Sequence, residues 1–197
     1  LNGAHVTYLA TDGRTKAELT PAKRMWGAQL ASDGRPGGIL LIERAPGPLI
    51  VAEGIENALS AAAIYRARTG VMPRAAASGS LDRLQGGWKP DAFDRYDPEA
   101  PAGDPDRPPF VLHERVGVLI AVDRDMSPIE VRVRGPGGRT KKRWLNAEAR
   151  ARICGSLAEQ AWRRVNPHLE TNRVRAIAPP PGLDFNDWLK GGAAYGA

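Results

Sequence analysis

The chain has 197 residues, 28 Lys and Arg against 22 Asp and Glu, a net charge of +6 and 42% hydrophobic residues. That composition supports a packed core, while apolar runs such as residues 117–122 are too short to span a bilayer. One cysteine, Cys154, excludes a disulfide framework and a cysteine-based zinc site, and His5, His113 and His168 lack ligand spacing.

No basic-then-apolar leader opens the chain, and residue 1 is Leu. The expectation is a piece of a longer, reduced, cytoplasmic protein without a membrane segment. The basic balance fits a polyanionic partner such as nucleic acid.

Residues 5–19 alternate apolar and polar around Thr11-Asp12-Gly13, a hairpin signal. With short strands expected at 23–27 and 38–42, the first 46 residues read as a small antiparallel β preface. PLIVA at 48–52 is a β-branched run stopped by Glu53-Gly54, and a helix follows over 55–68 with Ile55, Leu59, Ala62, Ala63 and Tyr65 inward. A strand at 71–77 and a short helix at 80–84, capped by Ser80, complete a strand–helix–strand grammar.

Residues 86–114 are proline-rich, charged and aperiodic, which predicts a surface excursion. VGVLIAV at 116–122 is the strongest candidate for a buried strand and runs directly into Asp123-Arg124-Asp125. A hairpin with a cationic tip or return strand follows, then an amphipathic helix over 146–165. A strand at 173–178, a Pro-Pro-Pro-Gly stop and a helix from Asp184 to Leu189 close the chain. The class is therefore α/β: a parallel sheet of about four strands with helices on both faces. It occupies 47–192, with insertions at about 86–114 and 127–145.

Glu53 follows one sheet strand, and Asp123 and Asp125 follow another. In open parallel sheets ligands gather beyond the carboxyl ends of the strands, and alternation turns Asp123 and Asp125 to one side. Each motif alone is common in loops. Placed together at strand ends, three hard oxygen ligands suit Mg²⁺.

LIVAEGIENALSA followed by GVLIAVDRD resembles the Toprim domain of primases, topoisomerases, some nucleases and recombination mediators. The resemblance implies a Toprim-like Rossmannoid sheet with Glu53, Asp123 and Asp125 as catalytic, metal-holding residues. TYLATDGRTKA at 7–17 and PPPGLDFNDWL at 179–189 are similar to the flanks of primase–helicases of phages and mobile elements. By that likeness Asp184 and Asp187 hold further metal; equally, Asp184 reads as the cap of the last helix. The chain departs from the family after Asp125, where DRDMSPIEVRVRG brings a hairpin in place of the usual acid and glycine.

The densest basic cluster, Arg139, Lys141, Lys142 and Arg143, lies on that hairpin with Arg132 and Arg134, and a phosphate-binding role is expected. Trp144 is a candidate to stack a base or to pack the hairpin. Lys16 and Arg24 are candidates to line the same groove. The expected activity is DNA primase: Mg²⁺-dependent (or Mn²⁺-dependent) nucleotidyl transfer from NTPs on a single-stranded DNA template. A helicase in the same or another chain is the expected partner. A Toprim nuclease and a non-catalytic DNA-binding module are the alternatives.

Overall fold

LIVA at 49–52 and VLIA at 118–121 are at most 7% exposed, so these strands bury both faces, which requires helices above and below the sheet. The computed structural model describes residues 3–8, 10–12, 17–20, 23–27 and 36–192. In chain order they form strands β1 (Gly3–Thr7), β2 (Lys23–Gly27), β3 (Ile39–Ile42) and β4 (Leu49–Ala52), then helix α1 (Ile55–Thr69). Strand β5 (Arg74–Ala77), helix α2 (Leu81–Gln85) and the two-residue strands β6 (Gly87–Trp88) and β7 (Gly103–Asp104) follow. Next come β8 (Val118–Ala121), β9 (Ile129–Arg134), β10 (Thr140–Leu145), helix α3 (Ala147–Val165), β11 (Val174–Ile177) and helix α4 (Phe185–Lys190).

The chain divides into units 1–37 and 38–197. In the first, β1 pairs antiparallel with β2, Gly3 opposite Gly27 through Thr7 opposite Lys23. The second holds a five-stranded sheet in the order β11-β8-β4-β5-β3, parallel except for β3, which runs antiparallel to β5. The fold is mixed α/β with a mostly parallel sheet.

Side chains alternate across this sheet with the period of two that strands impose. Leu49, Val51, Ala76, Val118, Ile120 and Val122 face Ala151, Cys154, Ala158 and Trp162 of α3. Ile50, Ala52, Ala75, Leu119 and Ala121 face Ala58, Ala61, Ala62 and Ile64 of α1, and Phe185 of α4. Asn146 caps α3, its side chain accepting from the Ala149 N–H at 2.9 Å. Gly155 lets α3 lie close on β11, since a Cβ there would come within 2.7 Å of Ala176 Cβ.

β11 is an edge strand whose outward groups are taken up by α3. Ile177 C=O faces β8, accepting from Val122 N–H at 2.9 Å, so Ala176 N–H and Val174 C=O face away. Glu159 accepts from that N–H at 2.6 Å and Arg163 donates to that C=O at 2.9 Å. The two side chains are themselves paired at 2.8 Å.

Three expectations are corrected. The run at 38–42 does not belong to the preface: β3 joins the main sheet, because Leu41 and Ile42 are apolar enough to pack over the α1 layer. In α1, Leu59 is 42% exposed, while Ala58, Ala61 and Ile64 face inward. The helix presents its small residues to the sheet, and an alanine-rich pattern gives apolar periodicity little to mark.

The third correction concerns residues 86–114, which are an excursion only in part: 91–94 and 105–108 are exposed, but both ends are packed on the core. Phe110 is 5% exposed, meets Trp162 edge-on at 6.3 Å and donates its N–H to Arg83 C=O at 2.7 Å. Glu114 is buried in an ion pair with Arg74, and its N–H donates to Asn166 Oδ1 at 2.7 Å. The apolar Phe-Val-Leu after the prolines anchors what composition marks as loop. Among the described residues, no helix is long and apolar enough to cross a membrane.

Candidate active site

Register brings the acids together. Ala52 of β4 stands beside Ala121 of β8, which stands beside Ile177 of β11, so all three strands end level. Glu53 follows the first directly. Val122 continues the second by its bond to Ile177, and Asp123 follows it. The third reaches the same edge through a stitched loop. Arg124 N–H donates to Leu183 C=O at 3.1 Å, and Gly182 N–H donates to Arg124 C=O at 3.2 Å. Gly182 adopts φ +80°, which favours glycine there. The Arg124 guanidinium donates to Pro179 C=O at 3.2 Å and pairs with Glu148. This clamp delivers Asp184 to the edge where Asp123 sits.

The electrostatics of Asp123 report the company it keeps. Burial pushes its carboxyl up from 3.8 to about 7, and the charges of Asp184, Asp125 and Glu53 push in the same direction, largest first. Asn57 opposes them by donating from Nδ2 to Asp123 Oδ2 at 2.6 Å. Asn57 Oδ1 in turn accepts from the Asn186 N–H at 3.3 Å, tying α1 to α4. Asp123 Oδ1 is buried without a hydrogen-bond partner. Beneath lies Cys154, whose thiol is pushed up by burial and by Glu53 and Asp123, so it stays protonated.

Asp184 caps α4, its Oδ1 accepting from the Asp187 N–H at 2.7 Å, and its charge is felt at Asp123. Asp125 is exposed at the rim. Asp187 is exposed, lies 4.0 Å from Lys190, and is not among the charges that shift Asp123.

A hard divalent cation is chemically suited to an all-oxygen set containing a buried carboxylate oxygen that lacks a donor. Among the described residues no three acidic, histidine or cysteine side chains close on one point, so no cage is preformed. Mg²⁺ does not require one: it keeps several waters and takes one or two carboxylates. On those terms Asp123 and its acidic neighbours fit.

The hairpin cations stand on the β9–β10 ribbon, which packs Val131, Val133 and Leu145 onto Ile153 and Leu157 of α3. Arg132 pairs with Asp94, Lys142 with Glu130 and Arg143 with Glu99. Arg134, Arg139 and Lys141 are exposed. Arg24 is exposed in the first unit, and Lys16 lies outside the described residues.

Sequence reasoning missed Asn57, Arg124 and Glu148. Asn57 had one available signal, a polar residue one turn after Glu53 in a helix of otherwise small inward residues. No protein-family model, curated protein or solved structure matches this chain.

Proposed function

We propose that this chain is a Toprim-type catalytic domain of a DNA primase, making primers on single-stranded DNA by Mg²⁺-dependent nucleotidyl transfer. One observation carries the reading: Asp123, half-buried at the carboxyl edge of a mostly parallel sheet, is electrostatically coupled to Glu53, Asp125 and Asp184 and leaves one oxygen without a donor. The motif resemblance of LIVAEG, VDRD and GLDFND supports the choice of family.

Asp123 and Asp125 would hold Mg²⁺ with Asp184 beside them, and the ion would supply positive charge to the phosphate oxygens. Asn57 holds the Asp123 carboxylate in one orientation. Glu53 takes the proton of the attacking 3′-hydroxyl as its oxygen bonds to the α-phosphorus, and pyrophosphate leaves with the bonding electrons. Arg124 acts at one remove, by holding the loop that presents Asp184.

The test is primer synthesis from labelled NTPs on single-stranded DNA with Mg²⁺ or Mn²⁺. Wild type is expected to extend primers, and Asp123→Asn and Asp125→Asn to lose synthesis and metal affinity together while remaining folded. Strand cleavage without synthesis would indicate a nuclease built on the same acids. A binding module without catalysis is the remaining alternative. Strand binding with neither synthesis nor cleavage would establish it.

A further inference from the structure

The β9–β10 ribbon has two unlike faces. Its register sets Arg132 opposite Lys142, Glu130 opposite Trp144 and Arg134 opposite Thr140. Residues directly opposite share a face, and these positions alternate with Val131 and Val133, which are buried against α3. The outer face therefore carries Arg132, Arg134, Lys142 and Trp144 together. Lys141 and Arg143 stand opposite Val133 and Val131 and so belong to the other side.

Trp144 is 67% exposed, although an indole is among the side chains that gain most from burial. Nothing in the second unit's core explains it, since the inner face of the ribbon is filled by Leu145 and the two valines. An exposed aromatic ring among three cations is the combination that single-stranded nucleic acids bind: bases stack on the ring while phosphates meet the charges. Duplex DNA keeps its base faces stacked and offers the ring nothing.

The two acids on this surface do not cancel it. Glu130 pairs with Lys142 and Asp94 with Arg132, but these are exposed pairs of little net strength that phosphate oxygens can replace. Among the described residues Arg134 makes no ion pair, so the face is left with net positive charge.

We infer that the outer face of this ribbon is a single-strand platform, with Trp144 stacking a base and Arg132, Arg134 and Lys142 holding the phosphates on either side. This deepens the primase reading by assigning the template a surface, and it requires no metal.

The experiment is fluorescence anisotropy of a labelled oligothymidylate and a duplex of equal length, over a salt series with EDTA and no nucleotide. Expected is a preference of wild type for the single strand. Trp144→Ala should weaken single-strand binding by about five- to a hundredfold and leave duplex binding unchanged, while Trp144→Phe keeps most of the affinity. Neutralising Arg132, Arg134 and Lys142 to Gln should flatten the single-strand salt slope by about 2, and Lys141→Gln with Arg143→Gln should leave it near wild type. Equal binding by wild type and Trp144→Ala overturns the platform, as does an equal loss from cations of either face. Primer synthesis, assayed separately, keeps the two ideas apart. Synthesis that survives loss of the platform defeats only this inference, and strand binding without synthesis defeats only the primase reading.

Discussion

At Asp123, burial and three neighbouring carboxylates act in the same direction, and the folded chain without metal holds that proton far more tightly than the unfolded chain does. The consequence for stability has a definite sign. An acid raised from 3.8 to about 7 contributes most to stability below its unfolded value, and the contribution is lost as pH rises through the folded value. Metal-free wild type should therefore lose stability relative to Asp123→Asn between pH 5 and pH 8. A loss of about 2 kcal/mol, after allowing for screening, corresponds to a widening of the Tm gap by roughly 4–8 °C. Differential scanning calorimetry at both pH values checks this; a constant gap would show that neither burial nor the neighbouring acids raise this carboxyl. Added Mg²⁺ should reverse the order, because it stabilises only the chain that binds it.

Residue by residue, the placement of the acids was legible where an acid ended an apolar strand, as at Glu53 and Asp123. Asn57 was not, because a lone amide in a helix has no pattern until the helix is docked beside the strand ends. Asp184 was legible as an acid with two possible roles; the structure shows the cap, and its charge raises the Asp123 carboxyl.

Among the elements, α3 and the four parallel strands were readable from periodicity and continuous apolar runs. The packed ends of the segment 86–114 were not, since proline density describes the local chain and says nothing of Phe110 finding Trp162. Its far end depends on the ion pair that Arg74 makes with the buried Glu114. Removing one partner of such a pair leaves the other charge buried, so Arg74→Ala should cost about 3–5 kcal/mol in urea denaturation. The double change Arg74→Met with Glu114→Leu should cost much less than the sum of the single changes. Additive losses would mean that the pair is solvated. The ribbon shows the same limit of local reading. Its cations were visible as a cluster, but which of them share a face followed only from register.

For the whole molecule, protection of amides from exchange should follow the sheet order. β4 and β8, with both faces covered and both edges paired, should exchange last, and β3 should exchange earlier. Hydrogen exchange read by mass spectrometry checks the ranking; equal protection in β3 would contradict it.

The Glu159–Arg163 pair over β11 has a further consequence for assembly. Sheets can grow by taking up a strand from a neighbouring molecule along a free edge. Growth into a fibre needs both edges of every copy, whereas this sheet has one of its two occupied by its own helix. Whatever pairs at β3, edge-to-edge association therefore stops at a closed, two-fold pair of molecules. Glu159→Ala with Arg163→Ala should lift that restriction, with light scattering rising on mild heating where the wild type stays clear. The ion pair at this edge thus limits polymerisation as well as satisfying the outward backbone groups of β11.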